Sequence, residues 1–281
     1  EGNIAPYPFE KLANVQSTTR YGGMENASAI FYSEQSLSDS QPSTGLVAHE
    51  IAHQWFGNTV TESGWPHLWL SEGFATYLEK LYLEFADGTG PMRDAMDEAR
   101  KQALAYQSRA PETPLVDTTY ADPAELLTTN PYQKGAWVLH MLRFWVGDTD
   151  FWSTLQTFYD QYKTGNASTD DFQAVAEDVT GENLDTFFEQ WTRRAGYPIL
   201  EIGYEYDEAS EAIVLTVEQI QRGEPFVFPL ELGLQIGDTE DLATIEVTER
   251  KETFEIDVPA AVQGVTVDPH TWLFGEWSLR Q

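Results

Sequence analysis

The chain has 281 residues, 41% of them hydrophobic and 13% aromatic, enough to bury a full core within one large or two ordinary domains. No run approaches the roughly 18 consecutive apolar residues of a membrane-spanning helix, and the absence of cysteine excludes disulfides and thiolate ligands, leaving any metal to His, Asp or Glu. A net charge of −30 argues against nucleic acid as a partner, because phosphate binding needs a basic footprint.

The acidity is spread evenly, with 28 acids against 12 bases in residues 1–199 and 18 against 4 in 200–281. Such a coat, with only six lysines, fits halophilic solubility in concentrated salt; an ordinary acidic secreted or periplasmic protein is the alternative. The opening EGNIAPYPFE has neither an initiator Met nor signal-peptide features. The chain therefore reads as a piece of a longer protein, and its location, cytoplasmic or exported, stays open.

Up to Tyr197-Pro198 the pattern is mostly helical. Gln41-Pro42-Ser43-Thr44 offers a start signal, Leu46, Val47, Ile51 and Trp55 recur at helical spacing, and Gly57 offers a stop, which predicts a helix of about three to four turns. A second helix is expected from Ser71 to Asp87-Gly88. Others follow Pro91, span Tyr132 to Val146, and run from Phe151 to Tyr162. Ser168 to Asp171 has the form of a capping box for the next, and NLDTFFEQWTRRAG closes at Gly196. From Ile199 onward apolar and polar residues alternate in ILEIGYEY, AIVLTVEQ, FVFPLELGLQI, ATIEV, TFEIDV and GVTV, with turns at Asp207 to Ser210 and Gly237-Asp238. Short strands at this spacing predict an antiparallel β-sandwich.

The helical half carries one constellation suited to a metal. His49 and His53 are four residues apart, about 400° around a helix, so both imidazoles leave one face and can grip one ion. Glu50, about 100° from His49, lies where it can take a proton from water beside that ion. A catalytic tetrahedral site wants a third protein ligand and an open position. Glu72, at the start of the next helix, can fold back to supply it. His67 competes for the same place from the connecting loop.

The blocks GGMEN (Gly22 to Asn26), HEIAHQWFGN (His49 to Asn58), WLSEGFATYLE (Trp69 to Glu79) and YQKG (Tyr132 to Gly135) resemble the signatures of the aminopeptidase N family of gluzincins, which also includes leukotriene hydrolase. The segment FFEQWTRRAGYP before the strands is similar to that family's passage into its β-sandwich. The resemblance implies an α+β architecture, with a mainly helical thermolysin-like catalytic domain at 1–198, incomplete at its N-terminal side, and a small antiparallel β-sandwich domain at 199–281. It implies one zinc ion per chain on His49, His53 and Glu72, with Glu50 as general base and proton shuttle. Glu25 would bind the free amine of a peptide substrate, and Tyr132 would donate to the oxyanion.

Along Gly22, Gly23 and Met24 the substrate backbone would lie as an added strand, a simple turn being the plainer alternative for the glycines. Glu79 would orient a ligand histidine from behind, or else be an exposed helix charge. Tyr21 would line the pocket for the first substrate residue, or pack in the core. Ser71 stands where the family commonly has Asn, at what reads as a helix N-cap. The family's N-terminal β domain, which adds a second amine-binding side chain, and its C-terminal helical domain lie outside the chain. The expected activity is hydrolysis of the N-terminal peptide bond. A broader zinc hydrolase, endopeptidase or epoxide hydrolase, and a non-catalytic peptide-binding scaffold are the rival classes.

Overall fold

The computed structural model describes residues 2–38 and 44–280, which fall into two compact units, Glu1–Ala195 and Gly196–Gln281. The helix start expected at Gln41-Pro42-Ser43 lies outside the described residues.

The first unit opens with a sheet that its helical patterning does not announce. β1 (Ala13–Ser17), β2 (Gly23–Met24) and β3 (Ala29–Ser33) lie in the order β1-β3-β2, with β1 parallel and β2 antiparallel to β3. Alternation along β3 buries Ile30 and Tyr32. After α1 (Glu34–Ser38) comes α2 (Thr44–Ala52), nine residues and so shorter than the spacing predicts. Beyond Ala52 the turn tightens. The Gln54 and Trp55 N–H groups reach only three residues back, to Ile51 and Ala52, and the Asn58 N–H donates to the His53 carbonyl. Gly57, with φ of 122°, then turns the chain away, so it closes this turn and not the helix itself.

β4 (Val60–Glu62) and a 3₁₀ turn at Trp65–His67 lead to α3 (Trp69–Asp87), which starts two residues before the expected Ser71 and ends at Gly88, φ 92°. α4 (Thr89–Gln107) follows. A π-helical turn, Asn130–Lys134, runs into α5 (Gly135–Tyr162), two helices end to end broken at Gly147, φ 81°. β5 (Gly165–Ala167) pairs in parallel with β4, and α6 (Thr169–Thr180) begins at the expected capping box, the Ser168 Oγ and Asp171 carboxylate each accepting the other's N–H at 3.2 and 2.8 Å. α7 (Asp185–Phe188) and a π-helical turn at Glu189–Arg193 complete the unit.

α3 packs against α2, α4 and α5. Buried rings join them: Phe74 of α3 meets Phe56 at 4.7 Å and Phe172 of α6 at 5.1 Å, and Phe158 of α5 meets Phe172 at 4.9 Å. Each such pair adds about 0.5–1.5 kcal/mol beyond its buried area. Through Phe56, which also stacks on Phe158, the segment after α2 is fixed to α3 and α5 at once. Among the described residues no helix is long and apolar enough to cross a membrane.

The second unit holds two sheets. One has β6 (Ile199–Asp207), β7 (Ala212–Gln219), β10 (Lys251–Asp257) and β12 (Glu276–Arg280) in the order β10-β7-β6-β12; the other has β8 (Phe228–Ile236), β9 (Thr239–Val247) and β11 (Gly264–Val267) in the order β11-β8-β9. Period-2 alternation buries Leu200 and Ile202, Ile213, Leu215 and Val217 on the first sheet, and Leu230, Leu232, Leu234 and Val247 on the second. The expected Gly237-Asp238 turn joins β8 to β9, with Gly237 at φ 60°. One pairing departs from the all-antiparallel expectation, because β12 runs parallel to β6.

Candidate metal centre

Helical spacing places His49 and His53 on one face of α2 and its closing turn, and α3 brings Glu72 across to them. His49 Nε2 and His53 Nε2 are 3.0 Å apart, and Glu72 Oε2 lies 3.4 Å from the first and 3.2 Å from the second. Among the described residues this is the one group of His and acidic side chains whose donor atoms converge as metal ligands do. Tetrahedral zinc with bonds of about 2.0–2.1 Å separates neighbouring donors by about 3.3–3.4 Å. The observed spacings are close to that, and a His₂-carboxylate set is one that zinc accepts, so the residues present fit the ion.

The surroundings prepare these donors. His53 Nδ1 donates to the Phe56 carbonyl at 3.1 Å, which turns Nε2 toward the centre, and Ser71 Oγ stands 3.2 Å from the same Nδ1. Burial alone would raise the Glu72 carboxyl, but hydrogen bonds from His49 and His53 outweigh it and hold the group down at about 2. His53 moves the opposite way: burial would lower it, and the Glu72 hydrogen bond with the Glu25 and Glu50 charges carries it to about 9. Behind His49, Glu79 Oε2 sits 3.8 Å from Nδ1 while its other oxygen accepts from Lys80 at 2.8 Å.

Glu50 is 5% exposed, and burial together with the Glu25 and Glu72 charges raises its carboxyl to about 7 despite the counter-pull of His53. Gly23 makes room for it. A Cβ built on Gly23 would stand 2.2 Å from Glu50 Oε1 and 2.4 Å from its Cδ. Opposite Gly23 in the sheet, the buried Tyr32 hydroxyl has no hydrogen-bond partner among the described residues and is raised to about 12 by burial and the Glu50 charge. Tyr132 approaches from the π-helical turn. Its ring lies over that of His49, centroids 6.1 Å apart and 13° from parallel, and burial with the nearby Glu72 charge raises its hydroxyl.

A family model described as "Peptidase family M1 domain" matches residues 3–191. The chain belongs to peptidase family M1. It is 36% identical over 209 residues to "Aminopeptidase M1-C" of Oryza sativa subsp. japonica, covering 70% of this chain and 24% of that protein. It is 35% identical over 196 residues to "Glutamyl aminopeptidase" of Homo sapiens, covering 64% and 20%. The crystal structure of Legionella pneumophila aminopeptidase A in complex with aspartic acid shares the fold, with a TM-score of 0.80 at 19% identity over 95% of this chain and 32% of that one. This M1 chain thus spans about a quarter of the length of the curated relatives it matches.

Within the M1 domain the structure draws together His49, Glu50, His53, Glu72, Glu79 and Tyr132, with Glu25 close enough for its charge to act on Glu50, His53 and Tyr132. His67 is elsewhere. Its Nδ1 accepts the Thr169 N–H at 3.2 Å beside Thr169 Oγ1 at 2.9 Å, so it is tied to the start of α6 and is no rival to Glu72. Ser71 is the third residue of α3 and not its N-cap, which is Leu68. Tyr21 is 44% exposed beneath the Arg20 guanidinium at 5.0 Å, so the core-packing alternative fails. Gly22 meets Ser36 Oγ and Leu46 only at ordinary contact distance, and Met24 pairs with Phe31 in the sheet.

Motif spacing does not expose Gln54, Asn58, Tyr32 or Ser71 in this M1 site. Gln54 and Asn58 stand inside the HEIAHQWFGN block without a role assigned to them, and Ser71 stood out as the departure beside Glu72.

Proposed function

We propose that the protein to which this chain belongs is a zinc-dependent aminopeptidase acting on peptides with a free N-terminus. The observation that carries this is the coupling of three parts in one cluster: a convergent His₂-Glu donor set, a buried carboxyl at Glu50 raised to about 7, and the Glu25 carboxylate acting on both. His49, His53 and Glu72 would hold the metal, and bound zinc would supply a Lewis acid that polarises a peptide carbonyl and acidifies water.

The chain's own groups do the rest. The Glu50 carboxylate takes a proton from the attacking water and passes it to the leaving amine, a task suited to a carboxyl raised toward neutrality. Tyr132, whose hydroxyl is kept protonated by burial and by the Glu72 charge, donates to the developing oxyanion. Glu25 pairs with the substrate ammonium and sets which bond reaches the centre. The edge of β2 at Gly23 and Met24 receives the substrate backbone as an added strand. Glu79 steadies His49 from its far nitrogen.

The test compares a free and an N-acetylated peptide with the full-length protein, with and without chelator. Cleavage should stop with chelator and favour the free amine by at least about tenfold, since acetylation leaves Glu25 desolvated without a partner. Glu25→Ala should erase the preference while zinc content holds. Equal cleavage of both peptides would indicate a broader zinc hydrolase, and no cleavage at full zinc content a binding scaffold.

A further inference from the structure

The turn that closes α2 carries two amides that the mechanism leaves unused, and both point at the main chain of Glu25. Gln54 is fully buried; its Nε2 donates to the Glu25 carbonyl at 3.0 Å and to the Glu50 carbonyl at 3.4 Å, and its Oε1 accepts the Ser28 N–H at 2.8 Å. The half-buried Asn58 donates from Nδ2 to the same Glu25 carbonyl at 2.6 Å. That oxygen therefore has both lone pairs filled, which fixes the peptide plane on which the Glu25 side chain stands. The turn is closed as well at Ser28, held at φ 61°, a conformation a non-glycine residue keeps only when its surroundings hold it there.

The anchor points matter as much as the bonds. Gln54 directly follows His53, and the Asn58 N–H donates to the His53 carbonyl at 3.0 Å. Glu25 is thus tied to the backbone that carries the base and one metal ligand, and not merely to a neighbouring strand.

We propose that Gln54 and Asn58 are positioning residues that set the distance from Glu25 to the metal centre and so enforce removal of one residue at a time. The proposal rests on Glu25 as the reader of the substrate amine. One residue of extended substrate spans about 3.3–3.6 Å, and a misplacement of about 1 Å can cost on the order of 100-fold in rate, so a loosened carbonyl is enough to lose the register.

The experiment uses the zinc-loaded full-length protein and the variants Gln54→Met, which keeps length without donors, and Asn58→Ala. Leu-Ala-Ala and its N-acetyl form give specificity constants; L-leucine and N-acetyl-L-leucine give affinities by calorimetry; zinc content and thermal midpoint are measured alongside. Each variant should lose about tenfold or more on the free peptide, mainly through KM, and as much affinity for L-leucine. The acetylated ligands and the zinc content should not change. A fall on both peptides alike, or a lower midpoint with the preference intact, would make the amides structural and overturn the proposal. If Gln54→Met does not fold, Asn58→Ala decides, because that side chain is half-buried and near the surface. Glu25→Ala run in parallel separates the two claims. Should it keep the preference, the amine reader is misassigned and the clamp falls with it; should it alone lose the preference, only the clamp falls.

Discussion

An alanine at position 23 would bring its Cβ to 2.2 Å from Glu50 Oε1 and 2.6 Å from Cγ, so Glu50, the proposed base, and the strand facing it can occupy their places only while residue 23 lacks a side chain. The clash is with a flexible side chain, which can swing aside. Gly23→Ala should therefore leave the fold and the metal in place but lower kcat as deeply as Glu50→Gln does, because both remove the carboxylate from its post. Glu72→Gln should behave in the opposite sense, emptying the site, since two protein donors hold zinc weakly. Zinc content by atomic absorption beside kcat separates the two classes, and a Gly23→Ala protein with undiminished kcat would put the base elsewhere. That His49 and His53 converge was legible in the sequence because helical periodicity sets their spacing; Glu72, which periodicity left in competition with His67, was singled out by the family resemblance. Gln54 and Asn58 were not legible, since their partners are main-chain atoms 26 to 33 residues earlier, and spacing says nothing about such bonds.

At the scale of elements, Tyr132 owes its place to a contact between two backbones. The Cβ of an alanine at 135 would meet the Gly73 Cα at 2.9 Å and Trp69 Cβ at 3.2 Å, so α3 and the start of α5 touch there without side chains between them. The π-helical turn Asn130–Lys134 leads directly into that contact, pinned by Asn130 Nδ2 on the Pro114 carbonyl at 2.8 Å and by Gln107 on Asn130 Oδ1 at 3.0 Å. Gly135→Ala must push the helices apart, at a cost of about 1–3 kcal/mol for overpacking. Tyr132 should then stand off from His49 and kcat should fall on the order of tenfold or more, with KM and zinc content little changed. A lowered thermal midpoint with normal kcat would show that Tyr132 is placed some other way. Periodicity located the long helices and even the gap at Gly147, where the backbone leaves the helical conformation. It overran α2, because Trp55 and Gly57 keep helical spacing after the hydrogen bonds have changed to a tighter turn, and it missed β1 to β5: β2, β4 and β5 are only two or three residues long, and the AIFY of β3 is apolar at successive positions, so its alternation shows in the burial and not in the sequence.

For the whole molecule the dominant fact is charge. Forty-six acids face sixteen bases, and the mutual repulsion works against the compact state in dilute buffer. Screening shortens from about 10 Å at 0.1 M salt to about 3 Å at 1 M, so if the coat is an adaptation to salt the thermal midpoint should climb steadily over that range. A midpoint indifferent to salt would mark an ordinary acidic protein. The parallel pairing of β6 with β12 has its own consequence for how the strand-rich unit is made. Ile199 pairs with Glu276, so during synthesis β6 leaves the ribosome with an open edge that stays unpartnered for about 77 further residues, roughly 4 to 15 seconds at typical elongation rates. Glu201 and Glu205 charge that edge against pairing with another nascent copy. A stalled chain ending before residue 276 should be cut by protease in the unfinished unit and one extending well past 280 should resist, for only then does Arg280 reach Glu201 and close the sheet.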